Sequence, residues 1–200
     1  MGSLSNGGNS PKKPRKKPRA QSKLKGATFE RRIAQDMRRI YDPPEYVTRL
    51  EAMPTKGEGA ISALQTLLKE SRVRRSDQGR GAQEPDLVIR GCPLWLELQD
   101  ARETTPMEKL EQAERDVRQV SSGLLPTAVI HRTGEQRIRA WMRFSTLLYL
   151  CGFDDLTDSA GGAIPLTASP GGNLVVMIDY EDLLERLRFR EEVLRGTKVD

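Results

Sequence analysis

Apolar side chains recur every three or four residues over several stretches of the chain, which is the spacing of helices that bury one face. The first stretch has Phe29, Ile33, Met37 and Ile40 as its apolar stripe, and Pro43-Pro44 ends it because proline breaks a helix. The predicted helices span residues 26–41, 45–53, 61–71, 106–121, 144–150 and 180–194.

Strand patterns lie between these helices. Residues 85–99 hold two β-rich runs around Gly91-Cys92, a glycine-first pair that suits the two-residue type II′ turn of a hairpin. A helix joins this hairpin to the apolar run 126–131, so we expect those two strands to pair in parallel. The other predicted strands are 72–77, 136–142 and 174–178. This order predicts an α/β domain with a mixed sheet.

Charge is divided unevenly along the chain. The net charge is +5, yet residues 1–25 alone carry eight lysines and arginines and no acidic residue, which leaves −3 for the remainder. Pro11, Pro14 and Pro18 favour an extended chain there. We therefore predict a basic, disordered tail over 1–25 and one folded domain over 26–200. Such a tail suits nucleic acid, bound in a salt-sensitive way, and a nuclear-import signal has the same composition.

Composition argues against several other classes of protein. No apolar run approaches the roughly 18 residues of a membrane span, and the basic N-terminus lacks the apolar stretch of a signal peptide. His131 is the single histidine, which argues against a Cys/His zinc site and suits a structural role. With only Cys92 and Cys151, a reduced, intracellular protein is the simpler interpretation. We expect it in the cytoplasm, with the nucleus as the alternative in a eukaryotic host.

Two carboxylates face each other across the predicted hairpin. Counting outward from the turn sets Leu87 against Leu96 and Asp86 against Glu97. Side chains alternate along a strand, so Asp86, Glu97 and Gln99 share one face. Directly opposed carboxylates lie roughly 5 Å apart and repel one another. A divalent cation would relieve that repulsion, so the pair predicts a nuclease-like metal site.

The carboxylate pair belongs to a longer series of short motifs. In chain order they are Gly26-Ala27-Thr28-Phe29-Glu30-Arg31-Arg32-Ile33-Ala34, Arg74-Arg75, Pro85-Asp86, Glu97-Leu98-Gln99 and Leu110-Glu111-Gln112-Ala113. Their order, the hairpin spacing and the flanking helices resemble the PD-(D/E)XK nuclease superfamily. The resemblance covers about residues 23–142 and is closest to the small phage-borne and Holliday-junction-resolvase-like members.

The resemblance implies a restriction-endonuclease-like core, a mixed central sheet flanked by helices, over residues 26–200. It implies a metal-dependent DNA endonuclease for branched or recombination-type DNA, with a homodimer left open. Mg²⁺ or Mn²⁺ would be bound by Asp86, Glu97 and the backbone carbonyl of Leu98, with Glu30 as a further ligand, direct or through water. Hard cations prefer such oxygen ligands, and phosphodiester hydrolysis needs charge neutralisation and an activated water.

The chain departs from the family at Gln99, where lysine is usual. Glutamine can orient a water molecule, and we assign it that catalytic role, but it cannot accept a proton in the ordinary way or supply positive charge. The extra length between Tyr41 and Arg72 and the loop over 152–173 are two further departures. Either could change which DNA shape is admitted.

Basic residues of the tail and of the segment before the hairpin are the candidates for phosphate contacts. They are Lys12, Lys13, Arg15, Lys16, Lys17, Arg19, Arg74, Arg75 and Arg80. Two other classes stay open: a non-catalytic DNA-binding protein on a decayed nuclease scaffold, and an RNA-binding accessory protein whose tail does the binding. Taken singly, Asp86 and Glu97 also suit ordinary strand positions, Glu30 suits the first turn of a helix, and Trp95 suits packing beneath the first helix.

Overall fold

A computed structural model describes residues 19–54, 57, 59–76, 84–103, 105–153 and 174–196, with residues 19–25 described by their backbone alone. The helices are α1 (Arg19–Tyr41), α2 (Pro44–Glu51), α3 (Ala60–Glu70), α4 (Pro106–Val120), α5 (Phe144–Leu150) and α6 (Tyr180–Gly196). The strands are β1 (Val73–Arg75), β2 (Leu87–Ile89), β3 (Leu94–Ala101), β4 (Leu125–Arg132), β5 (Ile138–Arg143) and β6 (Val175–Asp179).

Some predictions fall outside the described residues. They concern the tail residues Lys12, Lys13, Arg15, Lys16 and Lys17, the side chain of Arg19, Arg80, and all but the first two residues of the loop 152–173. The predicted phosphate contacts of these basic residues stay predictions.

The six strands form one mixed sheet in chain order, from β1 at one edge to β6 at the other. Strands β3 and β4 are parallel, in register from Leu94↔Leu125 to Ala101↔Arg132. All the other neighbouring strands are antiparallel. The predicted α/β class, mixed sheet and parallel pairing are therefore confirmed.

Helices cover both faces of the sheet. On one face, Leu94, Leu96 and Leu98 of β3 join a core that also holds residues of α1 and α6. On the other face, Leu110 of α4 packs on Ala128 and Ile130 of β4. Alternate residues of β3 thus face different helices, and Glu97 faces α4.

Helix α1 begins seven residues earlier than predicted, at Arg19 rather than Gly26. The stretch before Gly26 is made of alanine, glutamine, serine, lysine and leucine, most of which favour helix. A single glycine lowers helix stability by only about 1 kcal/mol, so it does not force a boundary. The predicted start of this helix at Gly26 was therefore wrong.

The end of α1 is tied to the start of β1 through Asp42, which is only 3% exposed. Its carboxylate accepts the hydroxyl of Ser71 at 2.6 Å and the backbone N–H of Arg72 at 2.7 Å. Helices α2 and α3 lie in the chain between Asp42 and Ser71. The Tyr46 hydroxyl of α2 donates to the Leu67 carbonyl of α3 at 2.8 Å. Helix α1 therefore lies beside β1 and β2, close to the predicted site.

The hairpin turn differs from the predicted type II′ turn. The N–H of Cys92 donates to the carbonyl of Ile89 at 3.2 Å, so Arg90 and Gly91 occupy the two central positions. Gly91 has φ +88°, as the third residue of a type II turn requires. Pro93 explains the change, because it has no N–H with which to close the predicted two-residue loop.

Two glycine substitutions are expected to change stability in opposite directions. Gly91→Ala should lower the free energy of unfolding by about 1 kcal/mol, because a side chain is strained at φ +88°. Gly26→Ala should raise it by up to about 1 kcal/mol, since Gly26 is helical and an added Cβ meets nothing within 4 Å. Chemical denaturation of both variants measures the difference, and shifts of the same sign would contradict this account of α1 and the turn.

The cysteines and the described helices can be compared with the features expected from composition. Cys92 and Cys151 are both free thiols. Burial raises the pKa of the Cys92 thiol to about 11, so this thiol is protonated and unreactive at neutral pH. Of the helices that the structure describes, none combines the length and the apolar character needed to cross a bilayer.

Candidate functional site

The hairpin brings Asp86 and Glu97 together as predicted. Leu87 pairs with Leu96, which places Asp86 just before β2 and next to the segment of β3 that carries Glu97. The N–H of Asp86 donates to the Leu96 carbonyl at 3.1 Å, and the Asp86 carboxylate accepts the N–H of Leu98 at 2.7 Å. The backbone around Glu97 therefore fixes the position of Asp86.

Glu97 is enclosed by neighbouring side chains, with only 5% of its surface exposed. Its Oε1 accepts the indole N–H of Trp95 at 3.0 Å. Its Oε2 accepts the amide of Gln112 at 3.4 Å and lies 3.7 Å from Nζ of Lys109. Helix α4 lies across this part of the sheet, so Glu97 does not occupy an open, solvent-facing strand position.

The two carboxylates are electrostatically coupled. Burial and, second to it, the nearby charge of Asp86 raise the pKa of Glu97 to about 7, against the opposing effects of Trp95 and Lys109. The pKa of Asp86 is also raised, chiefly by burial, while the Leu98 N–H and Lys109 act in the opposite direction. Both groups are therefore harder to ionise than ordinary carboxyls, and a bound cation would reverse this.

Glu30 reaches the site from α1 but is engaged by Arg75 of β1. Both Nε, at 2.9 Å, and Nη2 of Arg75 donate to Oε2 of Glu30, which is 8% exposed. The charge of Glu30 raises the pKa of Asp86, and the charge of Arg75 lowers it. Arg75, predicted to contact phosphate, is thus also the ion-pair partner of a predicted metal ligand.

The donor set suits a hard cation held by two carboxylates. In the described ranges no three Asp, Glu, His or Cys side chains are grouped closely enough to hold a metal ion, so Glu30 does not complete such a set. Mg²⁺ is commonly bound through one or two carboxylates, and water and substrate oxygens complete its shell. The buried Glu97 and the half-buried Asp86, two mutually repelling oxygen donors, fit that requirement.

The remaining predicted residues lie around this pair. Gln99 is half-buried, two positions after Glu97 on β3. Arg74 is exposed, and its guanidinium contacts Glu84 at 2.9 and 3.2 Å. Trp95 is fully buried as expected, but it lies on the α4 side beside Glu97 rather than beneath α1.

His131 is held on both sides by acceptors. Its Nδ1 lies 3.1 Å from a carboxylate oxygen of Asp100, and its Nε2 lies 3.1 Å from the carbonyl of Glu135. The ring stacks on Phe29 with 6.0 Å between the ring centroids. These contacts favour the structural role expected for this residue.

Three residues outside the predicted site act on Glu97: Lys109 and Gln112 contact its carboxylate, and the charge of Asp116 raises its pKa. Lys109 and Gln112 are three residues apart on α4, where they border the apolar stripe that contains Leu110. Polar residues at the edge of a buried stripe lie close to the sheet, and this spacing is the signal that could have identified them.

The site thus combines the Asp86–Glu97 pair, Lys109 and Gln112 of α4, and the Glu30–Arg75 ion pair. Asp86 and Glu97 lie near each other, and α4 covers Glu97. Scans of protein-family models, of curated proteins and of solved structures each found no match to this chain.

Proposed function

We propose that this protein is a metal-dependent DNA endonuclease that hydrolyses phosphodiester bonds, in branched or recombination-intermediate DNA. The observation that carries the proposal is the Asp86–Glu97 pair, two neighbouring carboxylates of the β2–β3 hairpin, each with a raised pKa. Placing a half-buried carboxylate beside a buried one is costly unless a cation compensates them. The branched substrate rests on the family resemblance alone.

Asp86, Glu97 and the carbonyl of Leu98 would hold Mg²⁺ or Mn²⁺, with Glu30 acting through water. A bound ion would supply charge neutralisation at the phosphate and lower the pKa of a coordinated water. Gln99, on the same strand as Glu97, would orient the attacking water through its amide. The hydrogen bond from the Leu98 N–H to the Asp86 carboxylate would keep Asp86 in position to bind the ion.

The proposal includes a restriction-endonuclease-like core. Its support is the order of the parts: α1 with Glu30, the β2–β3 hairpin with Asp86 and Glu97, then α4 and the parallel strand β4. This order is the one that the resemblance implies. DNA is the proposed partner, and a homodimer, which would cut two strands symmetrically, is part of the same hypothesis.

A substrate panel tests this function. Linear, single-stranded, flapped and four-way DNA would be incubated with the full chain in Mg²⁺, in Mn²⁺ and in chelator. The proposal predicts cleavage with either metal, most on the four-way or flapped DNA, and none with chelator. Equal cleavage in chelator, or no cleavage of any substrate with either metal, would contradict it.

Deleting residues 1–18 is expected to weaken DNA binding without removing cleavage. The deletion takes away five cationic side chains, which are Lys12, Lys13, Arg15, Lys16 and Lys17. The slope of log affinity against log salt should become shallower by up to about 4, and cleavage at low salt should persist. Complete loss of binding would instead favour the RNA-binding accessory protein, whose tail does the binding.

A second candidate function is a DNA-binding protein on a nuclease scaffold that has lost catalysis. Two observations favour it: Gln99 stands where the family has lysine, and Glu97 is enclosed by Trp95, Lys109 and Gln112. This candidate predicts salt-sensitive DNA binding with no cleavage in Mg²⁺ or Mn²⁺. The substrate panel separates it from the proposed endonuclease.

A further inference from the structure

A lysine side chain lies beside the carboxylate pair, and it belongs to a helix rather than to the hairpin. Nζ of Lys109, on α4, is 3.7 Å from Oε2 of Glu97 and donates to Oε1 of Gln112 at 3.1 Å. Gln112 in turn donates to the same oxygen of Glu97 at 3.4 Å. The lysine side chain is 22% exposed, so it lies at the boundary between the buried carboxylate and solvent.

The charge of Lys109 acts on both members of the pair. It lowers the pKa of Glu97 and that of Asp86, whereas burial raises both. Among the described residues, Arg75 also acts on Asp86, but it bonds directly to Glu30. Lys109 is therefore well placed to compensate the carboxylates, a task that Gln99 cannot perform because it is neutral.

We propose that Lys109, oriented by Gln112, compensates the charge of Asp86 and Glu97 from α4 and competes there with a divalent cation. Once that cation is bound, Lys109 positions the phosphate. The inference rests on the proposed nuclease function for its last part only. Competition with the cation is a property of the carboxylates and of Lys109, and it can be measured without any DNA.

Metal binding to the full-length chain tests the competition. In a calorimetric Mn²⁺ titration at about pH 8, Lys109→Met is expected to bind Mn²⁺ about 10-fold more tightly than the wild type, because a positive charge next to Glu97 has gone. Lys109→Arg, which keeps the charge, should leave the affinity within a few-fold of the wild type. Lys69→Met, the same charge change on the exposed surface of α3, is the matched control and should leave it unchanged.

The rate of DNA cleavage tests whether Lys109 positions the phosphate. Lys109→Met is expected to cut the preferred DNA about 100-fold more slowly at saturating metal, with the loss in kcat rather than in KM. Gln99→Lys, added to Lys109→Met, should restore part of the rate, because the lysine returns to the position two residues after Glu97. A purely structural Lys109 would lower the thermal midpoint and would allow no such rescue.

The outcomes separate the two hypotheses. Tighter Mn²⁺ binding by Lys109→Met with slower cleavage supports the whole inference. Unchanged or weaker Mn²⁺ binding overturns it, whatever happens to the rate. If the wild type cuts no DNA while Lys109→Met still binds Mn²⁺ more tightly, the nuclease function is wrong and the competition between Lys109 and the cation stands.

Discussion

Asp86→Asn is expected to lower the Mg²⁺-dependent rate of DNA cleavage by about 10³-fold, and Glu97→Gln by a similar factor. A metal ion typically contributes several kcal/mol of transition-state stabilisation, and each substitution removes one of its two proposed carboxylate ligands. Both replacements keep the size of the side chain, so the fold should survive. DNA binding, which we assign chiefly to basic residues, should change little.

Single-turnover cleavage assays with saturating enzyme measure this loss, alongside DNA binding in the presence of Ca²⁺ or chelator. Glu192→Gln provides the matched control, because Glu192 is an exposed carboxylate on α6. Full activity of the Asp86→Asn/Glu97→Gln double variant, in a preparation free of contaminating nuclease, would refute the assignment of the site.

Glu97→Gln is expected to stabilise the folded protein at about pH 8 by about 2 kcal/mol, although the same substitution is expected to slow DNA cleavage. Burial and Asp86 raise the pKa of Glu97 from 4.5 to about 7, so ionising it disfavours the folded state. This destabilisation develops as the pH rises from about 4.5 to about 7, and it is complete above that range. A neutral glutamine avoids it, while the loss of the ionic contact to Lys109 offsets part of the gain.

Urea denaturation of wild type and variant across this pH range measures the effect. The two curves should converge below about pH 4.5, where Glu97 is protonated in both the folded and the unfolded protein, and separate towards pH 8. Glu192→Gln should show no such divergence. Added Mg²⁺ should stabilise the wild type at pH 8 and not the variant. A constant difference at every pH would contradict the raised pKa of Glu97.

The sequence predicted most of the fold because its elements carry local signals. The helices and strands lie near their predicted ranges, and the Leu87–Leu96 register, which sets Asp86 beside Glu97, was correct. The turn itself was not, since Gly91-Cys92 suited a two-residue loop only if Pro93 could donate an N–H. The start of α1 was missed because the residues before Gly26 favour helix but lie ahead of the apolar stripe from which the helix was predicted.

Tertiary contacts around the carboxylates were harder to predict. The alternation of side chains along β3 shows that Glu97 lies on the sheet face opposite the main core. It does not show which helix covers that face. Only the packing of α4 reveals that Lys109 and Gln112 contact Glu97. In the same way, the pairing of Glu30 with Arg75 depends on how α1 lies beside β1, and no local pattern encodes that contact.

Direct titration of Mn²⁺ into the full-length wild type and the Asp86→Asn/Glu97→Gln double variant tests the central claim, that these two carboxylates hold a divalent cation. Calorimetry at about pH 8, where Glu97 is ionised, is the suitable measurement. We predict saturable Mn²⁺ binding by the wild type that the double variant loses. Equal binding by the two proteins, or no binding by the wild type, would contradict the account.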